Sequence, residues 1–141
     1  MIPLAIDAAI SNAPPLRIFG TDYPTADGTC ERDFIHVSDL AAAHVAALHH
    51  LEQGNASLTV NLGSGRGHSV LTVIDALERV TGCRVPVELA DRRAGDSPTL
   101  VADPSLARRL IRFESRYSDL ETIIETAWRS RAQGRHAVLT C

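Results

Sequence analysis

Arginine carries all of the fixed positive charge in this chain: there are fourteen basic residues, and none of them is lysine. No lysine-dependent chemistry can start here. A guanidinium is planar, permanently charged and able to make two parallel hydrogen bonds, so it holds phosphate or carboxylate and does not shuttle protons. Two places offer such groups in a polar setting. Arg32 stands between a Gly/Asp/Thr-rich stretch and the apolar run 34–37, and Arg92, Arg93 and Asp96 share a later polar segment. Turned toward one cleft, Arg32 and the later arginines would make an anion site suited to a diphosphate. The alternative is that Arg32 pairs with Asp33 or Asp39 while Arg92 and Arg93 are solvated. The residues by themselves leave both open.

Other constellations carry less. Gly63, Gly65 and Gly67 follow an apolar run and precede a helical pattern, where a dinucleotide loop would lie, but the third glycine of G-x-G-x-x-G would have to be at position 68, which is His68. The run also lies midway along the chain. A turn that lets an extended segment enter a helix is the better reading. His36 and His44 are eight apart, and His49 and His50 are adjacent and so point in different directions on a helix. No third ligand at metal spacing accompanies either pair, so no metal site is expected. There is no Gly-x-Ser-x-Gly elbow, and Cys30, Cys83 and Cys141 are widely spaced with no Cys-x-x-Cys pair.

The elements that must position these groups follow from periodicity and punctuation. Residues 2–9 read as an apolar helix without a capping residue before it, 16–19 as a short strand ending at Gly20, and 21–29 as a long turn-rich loop. A second strand is expected over 34–37, with Ser38 or Asp39 capping an alanine-rich helix over 40–51. A third strand is expected over 59–62. Ser69 should cap a helix over 70–80 that ends near Gly82 with a left-handed residue. A fourth strand is expected over 85–89, then the polar segment 91–98. Asp103 followed by Pro104 should start a short helix to about residue 111. Ser118 with Glu121 should form a capping box for a last helix over 119–131, with Leu120, Ile123, Ile124 and Ala127 on one face. Strands alternating with helices argue for an α/β arrangement.

With 141 residues, 45% of them hydrophobic, the chain can fill one modest core but not two. A formal charge of −3 and a pI near 6.0 argue against a non-specific nucleic-acid binder. No apolar run approaches the roughly 20 residues of a membrane span, and residues 1–10 lack the pattern of a signal peptide, so a cytoplasmic protein with neither nucleic-acid nor membrane partners is expected.

Three separated segments carry a resemblance. FGTDYPTADGTCERDFIHVSDLAAAHVAAL from Phe19, VNLGSGRGHSVLTVI from Val60 and RRAGDSPTLVADPSLARRLI from Arg92 resemble, in order and at similar spacing, the C-terminal part of the UDP-glucose 4-epimerase family. That family lies within the extended short-chain dehydrogenase/reductases. The similarity runs from Met1 to about Ser130. It implies an α/β C-terminal substrate-binding portion of such a protein, with the NAD-binding Rossmann half absent. Residues 1–132 would form the nucleotide-sugar-binding portion and residues 133–141 a frayed tail.

The resemblance also implies roles. Arg17, Ile18 and Phe19 match a strand that lies along the uracil, Arg32 and Arg93 match arginines that clamp the diphosphate, and Asp96 matches an acid that bonds the ribose hydroxyls. Leu100 stands where many members carry a tyrosine near the sugar or phosphate, which puts that contact in question. Phe113 stands where a tryptophan is common, a change expected to affect packing more than binding.

Family members interconvert UDP-galactose and UDP-glucose through a 4-keto intermediate with bound NAD, using a Tyr-x-x-x-Lys pair. Here Tyr23 is followed four residues on by Asp27, and Tyr117 by Glu121. The expectation is therefore a UDP-sugar-binding part without catalytic residues, binding no NAD and inactive by itself. Its partner would be a missing cofactor domain, and the full-length family is often homodimeric. A stand-alone nucleotide-sugar-binding or interaction module, or the same half of another UDP-sugar epimerase or nucleotide-sugar dehydratase, is the alternative.

Overall fold

The computed structural model describes residues 1–10 and 13–133. Two apolar clusters organise them. The larger is built by three helices, α1 (Ile2–Ile10), α3 (Val70–Thr81) and α5 (Leu120–Gln133), with Ile6, Ile18, Val73, Leu77 and Ile124 at its buried centre. In α3, Val73, Ile74, Ala76 and Leu77 recur at helical spacing and all face inward. Ser69 accepts from the Thr72 N–H at its start, and Gly82, at φ 73°, closes its end, both as the sequence predicts.

β1 (Leu16–Phe19) pairs in parallel with β4 (Val87–Ala90), Leu16 beside Val87 and Phe19 beside Ala90. Buried Leu16 and Ile18 alternate with exposed Arg17, so β1 faces the large cluster on one side and presents Arg17 on the other. A second, three-stranded sheet has β2 (Glu31–Asp33) at its centre, with β3 (Gly67–Ser69) antiparallel on one side and β5 (Thr99–Leu100) parallel on the other.

The smaller cluster joins α2 (Val37–Glu52) to α4 (Ser105–Ile111) through Ala43, Ala107, Ile111 and Phe113. Phe113 is buried here, in keeping with a packing role. A buried polar knot ties α2 to the start of α5: Asp39 Oδ2 accepts from the Tyr117 N–H at 2.9 Å and from Ser118 Oγ at 2.5 Å, and the His36 N–H donates to Ser118 Oγ at 2.9 Å.

Several expected elements are displaced. The second strand is 31–33, not 34–37, because Glu31 and Arg32 find partners in both β3 and β5. α2 begins at Val37 and is capped by His36, whose Nδ1 accepts from the Ser38 N–H at 3.0 Å, while Asp39 is committed to the knot. Ser118 is committed there too, so Asp119 does the capping of α5 through Thr122 N–H at 3.2 Å. Asp103 accepts from the Ser105 N–H at 2.9 Å, as an N-cap would, with Pro104 at the helix boundary. Residues 59–62 are not a strand. Leu58, Val60 and Leu62 do pack inward with period two against the smaller cluster, but no neighbouring strand pairs with them among the described residues. The expected frayed tail lies, from Gly134 on, outside the described residues.

Candidate functional site: an arginine-lined pocket

The parallel alignment of β1 and β4 delivers the chain from Ala90 into the polar 91–98 segment, which turns back toward β2. Gly95, at φ 85°, makes that reversal possible, and the Asp96 N–H donates to the Arg93 carbonyl at 3.3 Å across it. Asp96 is thereby placed between two guanidinium groups. Arg93 Nε lies 3.1 Å from Asp96 Oδ2 and Arg32 Nη2 lies 3.6 Å from Asp96 Oδ1. Arg32 is fixed further by Nη1, which donates to the carbonyls of Glu31 at 2.7 Å and Ser97 at 2.8 Å. The Arg93 guanidinium sits 4.2 Å from the centroid of the Phe19 ring, and that of Arg17 lies 5.2 Å from the same ring.

These groups line one pocket of about 370 Å³. All six residues that the family resemblance implies, Arg17, Ile18, Phe19, Arg32, Arg93 and Asp96, reach it. Leu4 and Leu16 supply apolar wall, and Phe34 and Val70 complete it. One side is thus aromatic and apolar, and the other is two arginines spaced by a shared carboxylate. Such a pocket can stack a flat ring near Phe19 and hold an anion between Arg32 and Arg93. The pairing of Arg32 with Asp33 or Asp39 does not occur, because both acids are engaged elsewhere. Arg92 does not line the pocket. It donates through Nε to Asp22 Oδ1 at 2.5 Å and through Nη2 to the Asp22 carbonyl, and it stacks 4.1 Å over the Tyr23 ring.

The glycine turn is closed to phosphate by the protein itself. Asp33 Oδ1 accepts from Ser64 N–H at 2.9 Å and Ser64 Oγ at 2.6 Å, and Oδ2 accepts from Gly65 N–H at 2.9 Å. Those N–H groups are the ones a dinucleotide phosphate would need. The turn therefore does not fit an NAD pyrophosphate. Tyr23 is no better suited to catalysis. Burial pushes its phenol above its ordinary value, reinforced by the Cys30 thiol, and its hydroxyl is buried without a partner of full hydrogen-bond geometry among the described residues. A phenol shifted in that direction is a poorer base at neutral pH. No cluster of three or more His, Cys, Asp or Glu side chains is placed to hold a metal ion, and no helix is long and apolar enough to cross a membrane, among the described residues.

Comparison with known proteins shows what the chain is similar to. The profile of the NAD dependent epimerase/dehydratase family matches residues 1–63, which include β1 and Arg32. The α/β structure matches about two-fifths of full-length epimerase structures, as expected for a C-terminal portion of an extended short-chain dehydrogenase/reductase.

The particular relatives are UDP-glucose 4-epimerases. The enzyme of Rhizobium meliloti (strain 1021) is 50% identical over 127 residues, which is 90% of this chain and 38% of that protein. The UDP-glucose 4-epimerase structure from Brucella ovis in complex with NAD superimposes with a TM-score of 0.88 at 50% identity, over 92% of this chain and 40% of its own. The Stenotrophomonas maltophila enzyme, with bound NAD and formylated UDP-arabinopyranose, gives 0.89 at 45% identity over 96% and 40%. The chain thus spans about two-fifths of the length of the relatives it matches.

Sequence reasoning missed one polar liner, His68. Its segment, Gly-His-Ser, reads as turn, and only the pairing of β3 with β2 turns its side chain to the pocket. No sequence signal marked it, because a three-residue strand shows neither a propensity nor an alternation that could be read.

Proposed function

We propose that this chain is a UDP-sugar-binding portion of a UDP-glucose 4-epimerase-like protein, and that alone it holds the nucleotide sugar without epimerising it. The observation that carries this reading is the meeting of Arg32 and Arg93 across Asp96 in a pocket walled by β1. The diphosphate would lie between the two guanidiniums, replacing part of their contact with Asp96. Asp96 would then turn an oxygen to the ribose hydroxyls, and the uracil would lie along Arg17, Ile18 and Phe19. Similarity to UDP-glucose 4-epimerases over nine-tenths of the chain supports the same ligand class. Hydride transfer would require NAD and a tyrosine–lysine pair from outside these residues, so no step of that chemistry is assigned to them.

The surface supports a partner that supplies them. Val37, Val45, Leu48 and Leu51 lie on the outer side of α2 at helical spacing, between 49% and 72% exposed. The unpaired segment 58–62 packs beside the same helix through the smaller cluster. An apolar helix face next to a segment whose alternating side chains pack inward but which has no pairing neighbour among the described residues suits docking of the remaining part of such an epimerase, and less so a stand-alone module. Dimerisation of the assembled protein is expected to be a property of that other part.

Two experiments test the reading. UDP-glucose titrated calorimetrically should bind weakly, with Arg93→Ala weakening it more than Arg108→Ala. Equal losses would mean nonspecific charge attraction. NAD with UDP-galactose should yield no UDP-glucose above background, and any turnover would overturn the claim of inactivity. A panel varying the sugar at constant UDP separates the 4-epimerase reading from related nucleotide-sugar enzymes.

A further inference from the structure

The charges in the pocket do not balance the ligand proposed for it. Arg32 and Arg93 bring two positive charges, and Asp96, against both, withdraws one. Arg17 faces Glu88 at 4.0 Å, so that pair adds little net charge. A nucleotide-sugar diphosphate carries one negative charge on each of its two phosphates. One more cation would complete the match, and β3 places a group that can become one. His68 stands directly opposite Arg32 in the antiparallel ladder. Residues so paired project to the same face of the sheet, with Cβ atoms about 4.5–5.5 Å apart. Both line the pocket, and the imidazole has no hydrogen bond or ion pair among the described residues.

We propose that His68 is a third, pH-dependent cation of this site, whose imidazolium meets the diphosphate beside Arg32, so that nucleotide-sugar binding is coupled to uptake of a proton. The inference rests on the reading of the pocket as a diphosphate site and adds to it a ligand-binding residue with a pH signature. Histidine is suited to this because its charge changes between about pH 5 and 8, where arginine and carboxylates keep theirs. The charged groups around it come from every neighbouring element. β2 brings Arg32, while Glu31 and Asp33 alternate with it and project to the opposite face of the ladder, and the 91–98 segment brings Arg93 and Asp96. β1 brings Arg17. An arriving diphosphate, brought beside the ring, favours the imidazolium. By linkage, a ligand that binds the protonated form better must take up a proton as it binds.

The test is calorimetric titration of UDP-glucose into the full chain at intervals between about pH 5.5 and 8.5. UDP-glucose is the probe because its diphosphate is esterified at both ends and keeps its charge over this range, unlike the terminal phosphate of free UDP. Affinity should fall about three- to tenfold from the lower to the upper end, the range expected for one charge at a partly screened site. The heat at pH 6.5 should vary with buffer ionisation enthalpy, which reports proton uptake by the unaltered protein. His68→Gln and His68→Asn should bind at every pH as the unaltered chain binds at the highest. A flat profile in the unaltered chain, or a slope kept by both variants, overturns the proposal. If UDP-glucose binds, is weakened by Arg93→Ala and shows no pH dependence, the pocket stands and His68 has no such role. If UDP-glucose does not bind at any pH, both fall.

Discussion

Removing the Asp33 carboxylate should destabilise the protein by about 3 kcal/mol, and a free carboxylate in solution should restore part of the loss. The magnitude follows from three short hydrogen bonds to one charged acceptor, from Ser64 N–H, Ser64 Oγ and Gly65 N–H at 2.9, 2.6 and 2.9 Å. Bonds to a charged group contribute about 1.5–3 kcal/mol each when buried. Water reaches this turn, and Gly65 is exposed, so the sum is discounted to about one full bond and a half. For a chain of this size that is a fall in Tm of about 10 °C. Asp33→Ala followed by thermal circular dichroism measures it, and adding formate should raise the Tm of the variant more than that of the parent. Gly63→Ala is a companion probe, because its Cβ would come within 2.5 Å of Asp33 Oδ2 and 2.6 Å of the Ala102 Cβ. It should destabilise the parent and cost less in the Asp33→Ala background, where one of the two clashes is gone. A stability change under about 1 kcal/mol, or equal formate effects on both proteins, would refute the assignment of Asp33 as the anion that fills the glycine turn.

Acid should weaken the loop over β2 through Asp27. Burial raises its carboxyl, but bonds from Ser69, Thr29 Oγ1 and the Thr29 N–H outweigh that and hold it below its ordinary value. A group lowered on folding stabilises above its unfolded value and loses that contribution as pH falls through the folded one. Stability should therefore drop below about pH 4, with a shallower acid limb in Asp27→Asn, read from urea unfolding at several pH values. Leu100, 58% exposed and paired with Arg32 across β2 and β5, should be replaceable by tyrosine with a gain in UDP-glucose affinity of about two- to fivefold, since a phenol there adds a donor at the rim. Unchanged binding would separate this rim from the site. Val45→Glu with Leu48→Glu should lower self-association in sedimentation without lowering UDP-glucose affinity, because both side chains lie outside the pocket.

What was legible in the sequence was local. β1 could be read over 16–19 from an alternating run stopped by Gly20, and α3 from its apolar face with Ser69 and Gly82 at its ends. Arg32 and the 92–96 segment were visible as an anion-site candidate, but the residues by themselves left the pairing open, and only the family resemblance singled out Arg93 and Asp96. What could not be read was set by partners distant in the chain. β2, β3 and β5 are two or three residues each and exist only because they pair, so neither propensity nor alternation marks them. Residues 58–62 show the converse, with clear alternation and no strand to pair with. Capping at α2 and α5 shifted by a residue or more because Asp39 and Ser118, good caps by type, bond each other. Which of Arg92 and Arg93 faces the pocket was settled by Tyr23 and Asp22, which draw Arg92 away.

The most direct measurement of the central claim is a crystal structure of the chain with UDP-glucose. The account predicts the two phosphates within hydrogen-bond distance of both the Arg32 and the Arg93 guanidiniums, with the uracil along β1. A nucleotide bound away from this pocket, or held by only one of these arginines with the other turned to solvent, would contradict it.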